Sequence, residues 1–249
     1  MKNVLITGAS SGIGQASARL LAKNGYRLVL CGRREERLDE LKAELSAFTE
    51  VHTLPFDVRD REAVKNAIER IPAPFRPFDA LINNAGNAHG LDFIQEGNWD
   101  DWDAMLDINV KGLLYVTKCI LPDMVDQEKG HIINIGSTAG KEVYPKGNVY
   151  CASKHAVDAL NQAMRIDLNQ HGIRVGAVHP GLVETEFSDV RFKGDRERAK
   201  TVYQGYSPLQ AEDIARIVFF VLEQPAHVNI ADLVVLPTDQ ASSTQIRKR

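Results

Sequence analysis

TGASSGIG, residues 7–14, stands between the apolar run NVLIT (3–7) and the amphipathic stretch IGQASARLLAKNG (13–25). Glycine allows close backbone approach, and the first turn of a helix offers unpaired N–H donors, so a glycine turn joining strand to helix can cradle a phosphate. In this reading Gly8 and Gly12 open the backbone, Gly14 lets the helix pack tightly, and Ser10, Ser11 and Ile13 complete the cradle. A glycine-rich turn can also be a plain connection. Its position, after an opening strand and ahead of a clear helix, favours dinucleotide binding. The spacing is G-x-x-x-G-x-G rather than the commoner G-x-G-x-x-G.

Outward from this turn, apolar runs alternate with helical periodicity to the end of the chain. Strands are predicted at 26–31, 51–56, 79–83, 131–136, 174–179 and 232–237, and helices at 34–48, 60–71, 102–125, 149–172 and 211–224. Strands that are apolar almost throughout, each followed by a helix, indicate a parallel sheet covered on both faces. The expected fold class is therefore α/β, a doubly wound single domain over 1–249 with a central sheet of about seven strands. The one long irregular segment, 182–208, is polar and follows the sixth strand, where a loop of that length is usually functional. The end of the chain, 239–249, reads as a solvated tail.

The second strand ends in CGRREE, which bears on the choice of dinucleotide. A carboxylate here would hold the ribose hydroxyls of NAD, whereas an arginine accepts a 2′-phosphate. Arg33 and Arg34 follow the strand directly, and Glu35 and Glu36 suit the next helix's first turn. The cofactor expected is NADP(H).

NVYCASKHA (148–156) places Tyr150 and Lys154 four residues apart at the start of a predicted helix, hence on one face. An ammonium beside a phenol favours the phenolate. Moving a tyrosine from ~10 to the ~7 wanted for acid–base work takes roughly 4 kcal/mol. One partly exposed ammonium is too little for that, so a second positive charge is expected nearby.

The net charge of −3 and the pI near 6.2 offer no basic surface for nucleic acid. Three scattered cysteines, Cys31, Cys119 and Cys151, form no metal or redox motif and suit a reducing compartment. No signal peptide or membrane span is visible, so a cytoplasmic protein is expected. The histidines, His179 among them, are too scattered in sequence to make a metal site, and no metal is expected.

In order, TGASSGIG, NNAG (83–86), Asn109, INIGS (133–137), YCASK (150–154) and HPG (179–181) resemble the short-chain dehydrogenases/reductases from residue 2 to about 238. The resemblance implies a Rossmann-like fold, a homotetramer and a catalytic set. Tyr150 would be the acid/base, with Lys154 lowering its pKa and holding the nicotinamide ribose. Ser137 would hydrogen-bond the substrate oxygen, and Asn109 would anchor a water in a proton relay. It implies further that Asn83, Asn84, Ala85 and Gly86 line the cofactor site and that Asp57 and Val58 contact adenine. Pro180, Gly181, Val183 and Thr185 would flank the nicotinamide end, and oxidised nicotinamide would carry the second positive charge. Many NADP-preferring relatives have a basic residue where this chain has Ser11, so phosphate selectivity here rests on Arg33 and Arg34.

A narrower similarity, in GHIINIGSTAG, GNVYCASK, EFSDVRFKGD (186–195) and PAHVNI (225–230), is to the bacterial NADP-dependent 3-hydroxy acid dehydrogenases. It implies hydride transfer at the β-carbon of a small 3-hydroxy acid such as serine, allo-threonine or 3-hydroxypropionate. The carboxylate of such a substrate needs a cation, and Arg191, in segment 182–208 read as a lid, is the candidate. Tyr144 is a candidate pocket wall. Two other functions compete: reduction of larger carbonyls such as 3-oxoacyl or steroid-like ketones, and nucleotide sensing without chemistry. The charged lid speaks against the first, and the joint presence of Asn109, Ser137, Tyr150 and Lys154 against the second.

Overall fold

A computed structural model describes residues 1–248; Arg249, the last residue of the expected tail, lies outside them. Its centre is a parallel sheet of seven strands: β1 (Asn3–Thr7), β2 (Arg27–Gly32), β3 (Val51–Pro55), β4 (Ala80–Asn83), β5 (Gly130–Ile135), β6 (Ile173–Pro180) and β9 (Asp232–Val235). Their order across the sheet is β3-β2-β1-β4-β5-β6-β9. Chain direction across the sheet therefore reverses between β1 and β4, which opens a crevice at the carboxyl ends of these strands.

The central strands β1, β2 and β4 are largely apolar because both faces are buried. Val4, Ile6, Leu28 and Leu30 face helices α1 (Gly12–Lys23), α2 (Glu35–Leu45) and α9 (Ala211–Leu222), packing with Leu21, Leu38 and Ile214. Leu5, Val29, Leu81 and Val175 face the other way, onto α3 (Arg61–Glu69), α5 (Leu113–Asp126) and α6 (Asn148–Leu168), through Val64, Val116 and Val157. Burying a large aliphatic side chain contributes about 1.5–3 kcal/mol, so alternate residues of each strand secure opposite helical layers. Local signals agree with this packing: α2 buries Leu38, Leu41 and Leu45 along one stripe, and α3 starts where Asp60 caps the amide of Ala63.

Two expectations need correction. The helix expected over 102–125 is helical but not α-helical throughout: α4 (Trp99–Leu106) passes into a π-helical segment, Asp107–Gly112, before α5. A π turn admits one extra residue and re-aims the side chains around it, a change that apolar spacing does not reveal. Segment 182–208 is not irregular either. It holds β7 (Val183–Glu184), which pairs with β8 (Leu209–Gln210), and the short helices α7 (Phe187–Arg191) and α8 (Arg196–Thr201). These elements are too short for periodicity to register. Among the described residues no helix is long and apolar enough to cross a membrane.

Candidate active site

The turn between β1 and α1 is built as its sequence demands. Gly8 and Gly12 take φ of 64° and 52°, which a side chain disfavours. A Cβ on Gly8 would lie 2.8 Å from Asn84 Nδ2 and 2.9 Å from Ala85 Cα. The Asn84 amide braces the turn from below, donating to the carbonyls of Thr7 (2.9 Å) and Gly8 (3.1 Å). Gly14 does not face the cavity; a Cβ there would meet the Gly8 carbonyl at 2.5 Å, so its role is close packing under the turn. Asn83 also departs from expectation. It is buried in the sheet, donating to Thr117 Oγ1 and Asn134 Oδ1, and the next three residues line the site instead.

A cavity of about 540 Å³ runs over the carboxyl ends of the strands. Ser10, Ser11, Gly12 and Ile13 form its floor beside β1, with Asn84, Ala85 and Gly86 after β4. Arg33, Arg34, Asp57 and Val58 close one end, after β2 and β3. There the Arg34 guanidinium donates to Ser10 Oγ at 3.2 Å and to the Ser10 carbonyl at 3.3 Å, so it lies against the phosphate-type turn. Glu186, from the lid, pairs with Arg34 at 2.8 Å and with Arg37 at 2.6 Å. Burial opposes ionisation of Glu186, but the two guanidiniums outweigh it and hold its carboxyl below the usual range. Neither Glu186 nor Arg37 was legible as a site residue, since the contact joins positions about 150 residues apart in sequence. At Asp57 burial is likewise outweighed, by hydrogen bonds from Arg59, and its pKa is lowered.

The other end of the cavity holds Ser137, Tyr144, Tyr150, Lys154 and Arg191, with Pro180 at the end of β6 and Gly181, Val183 and Thr185 after it. Ser137 lies just past β5 and caps a short turn, its Oγ accepting from the amide of Ala139 at 3.1 Å. Lys154 is buried. Its Nζ donates to the Ile135 carbonyl at 3.0 Å, and burial lowers its pKa to about 8. Tyr150 differs from expectation: burial raises its pKa, and Tyr144 adds to this. A hydrogen bond with Ser137 and the charge of Arg191 oppose the rise. The Arg191 guanidinium lies 5.6 Å from the Tyr150 ring centre and 5.7 Å from that of Tyr144, and Nη1 donates to the Tyr144 hydroxyl at 3.2 Å. Helix α7 thus brings a cation over the phenol.

Asn109 lies behind the cavity wall rather than in it. Buried in the π segment, its side chain donates to the Asn87 carbonyl (2.8 Å) and Ser153 Oγ (3.0 Å) and accepts from the Asn87 amide (2.8 Å). Both amide protons are committed, so the side chain braces the loop after β4 against α6 and has only an acceptor lone pair left for a water. The tail is not a solvated end. Gln240 bridges to Ile246 and accepts from the amide of Leu182 at 2.9 Å, and Ser243 and Ile246 line the cavity. Its polar sequence carries no signal of this return. His179 is not scattered in space: ligand-type atoms of His179, Asp158 and Asp232 lie within 4.8 Å of one another. The Lys141 ammonium bonds both carboxylates, at 2.8 and 2.6 Å, and supplies the cluster's cation.

Comparisons with known proteins fit this geometry. The family model described as "short chain dehydrogenase" matches residues 2–196. Sulfoacetaldehyde reductase 2 of Chromohalobacter salexigens is 47% identical, over 96% of each chain. The NADP-dependent 3-hydroxy acid dehydrogenase YdfG of Escherichia coli (strain K12) is 44% identical, again over 96% of each. A solved structure described as the closed form of serine dehydrogenase complexed with NADP+ superposes with a TM-score of 0.93 at 43% identity, covering 99% of both chains. With the glycine turn, the parallel sheet and the buried Tyr150–Lys154 pair all in place, the chain belongs to the short-chain dehydrogenases.

Proposed function

We propose that the protein is an NADP-dependent dehydrogenase of small acids that carry a hydroxyl, or in reverse a carbonyl, one carbon away from the anionic group. The observation that carries this reading is Arg191, whose guanidinium shares the cavity with Ser137 and stands 5.6 Å from the Tyr150 ring. The related proteins bear names of one chemical pattern. A 3-hydroxy acid, serine and sulfoacetaldehyde each place an anion one carbon from the reacting carbon. An arginine fork suits carboxylate and sulfonate alike.

The residues fit the cofactor. Gly8 and Gly12 leave room that a Cβ would take, Ser11 at the start of α1 makes no side-chain cap, and Arg33 and Arg34, which line that end of the cavity, would hold a 2′-phosphate. NADP(H), when bound, supplies or takes the hydride, and its oxidised ring adds a positive charge. The chain's own part is proton handling and orientation. Ser137 holds the substrate oxygen, and the Tyr150 phenolate takes the hydroxyl proton as the carbonyl forms or returns it on reduction. Lys154 would hold the nicotinamide ribose. Asn109 fixes the loop beside these groups, and the 182–208 lid brings Arg191 onto the acid. The enzyme works in the cytoplasm as a homotetramer; Leu106, Leu114 and Ile166, exposed on α4, α5 and α6, support pairing of these helices between subunits.

Initial rates with NADP and with serine, allo-threonine, 3-hydroxypropionate and an uncharged secondary alcohol test the reading. Tyr150→Phe is expected to lower kcat by about 10²–10⁴ on every substrate. Arg191→Ala is expected to raise KM about 10–100-fold for the acids, since hydrogen bonds to charged groups contribute about 1.5–3 kcal/mol. It should leave KM for the alcohol unchanged. An unaltered KM for the acids removes Arg191 as their anchor.

A further inference from the structure

Behind Ser137 lies a charged cluster that the reaction scheme above does not use. His179, the last residue but one of β6, is fully buried. Its Nδ1 lies 3.3 Å from the Ser137 carbonyl, and because a carbonyl only accepts, Nδ1 carries a proton there whatever the charge of the ring. The ring sits directly on the backbone that leads to Ser137: a Cβ on Gly136 would be 2.3 Å from Nδ1. On its far side, Nε2 lies 2.7 Å from Asp232 Oδ1; two acceptors at that distance repel, so Asp232 favours a proton on Nε2 as well, against the burial that lowers the ring's pKa.

Asp232 also accepts from Lys141, and Lys141 from the turn that begins at Ser137 reaches Asp158 as well. Asp158 lies on α6 four residues after Lys154, which itself is four after Tyr150. The three form one stripe of the helix. The cluster thus joins the turn bearing Ser137 at two points, its carbonyl through His179 and its end through Lys141, to the helix bearing Tyr150 and Lys154.

We propose that His179 is a positioning residue for the reaction: backed by Asp232 and Lys141, it grips the Ser137 carbonyl and fixes the Ser137 hydroxyl against Tyr150 and the substrate oxygen. The proposal rests on the assignment of Ser137 and Tyr150 as the reacting pair. It adds that their register is set from behind, by a histidine that touches neither substrate nor cofactor.

The decisive comparison is His179→Ala with His179→Asn, whose amide nitrogen falls where Nδ1 stood and can still donate to the carbonyl. In His179→Ala we expect kcat to fall about tenfold, in keeping with the cost of small misplacements at a reacting centre. KM for the acid and the Kd for NADPH, read by nucleotide fluorescence, should remain within twofold, and His179→Asn should recover most of the lost kcat. A wild-type kcat in His179→Ala overturns the proposal. So does a parallel loss of kcat and NADPH affinity that Asn does not restore, which marks a role in folding alone. Should the alanine variant not fold, Asp232→Asn serves, its carboxylate being half-exposed. It should lower kcat in the wild-type background and have no further effect in His179→Asn; additive effects overturn the coupling. Tyr150→Phe runs alongside, because activity surviving that change refutes the assignment of the reacting pair, whereas a dead Tyr150→Phe beside a fully active His179→Ala refutes only the positioning role.

Discussion

Tyr150 shows how residue chemistry is settled by neighbours rather than by type. A buried phenol loses much of the solvation of its anion, and at Tyr150 this outweighs the opposing influences of Ser137 and Arg191. Spacing alone assigns the lowering to Lys154, yet that ammonium is turned to the Ile135 carbonyl. A cation over the ring comes from the lid: Arg191, at the end of α7, lies 5.6 Å from the ring centre. At the opposite end of the cavity Arg34 is held by Ser10 on one side and by Glu186 on the other. Arg34→Ala is expected to raise KM for NADP about 10–100-fold, the worth of charged hydrogen bonds, and to leave KM for NAD nearly unchanged. Equal effects on both cofactors would show that Arg34 does not read the 2′-phosphate.

At the scale of elements, the π segment is the feature that most affects the site. It turns Asn109 inward between α4 and α5, where three hydrogen bonds tie the loop after β4 to Ser153 of α6. That loop carries Ala85 and Gly86 at its start, and α6 carries Tyr150 and Lys154, so one side chain spaces the cofactor wall from the reacting groups. Asn109→Ala leaves buried polar partners unmatched, at about 1–3 kcal/mol. The expected outcome is an unfolding free energy lower by that amount in urea titrations, together with reduced kcat. Unchanged stability would mean that the loop finds other partners. The lid belongs to this scale too. Its first helix, α7, is held at the cofactor end by Glu186 and at the substrate end by Arg191, which donates to the Gly90 carbonyl.

At the scale of the whole molecule, a buried histidine of the sheet contributes to the loss of stability in acid. His131 on β5 is buried with neither ring nitrogen partnered, and burial, with Arg174 and Lys2 adding, lowers its pKa to about 3. The unfolded chain takes up this proton below about 6.5, while the folded protein does not until near pH 3. This contribution to stability is therefore complete above about pH 6.5 and is lost as pH falls toward 3. Between pH 8 and pH 5 it amounts to about 2 kcal/mol. Urea titrations of wild type and His131→Leu at both pH values check it: the variant should lose less stability on acidification by about that amount. Equal losses would show that other groups set the acid limit.

What the sequence by itself determined is whatever depends on local order along the chain. Apolar runs and helical spacing fixed the α/β alternation, and TGASSGIG fixed the nucleotide turn because its glycines, β1 and α1 are contiguous. Tyr150 and Lys154 were legible for the same reason, being one turn apart. Tertiary structure decided everything carried by contacts between distant segments. Only folding brings Glu186 to Arg34, returns Ser243 and Ile246 to the cavity, and gathers Lys141, Asp158, His179 and Asp232 behind Ser137. The physical reason is that backbone periodicity follows from steric and solvation preferences within a few residues. Charge pairing and burial act through space and leave no period in the sequence.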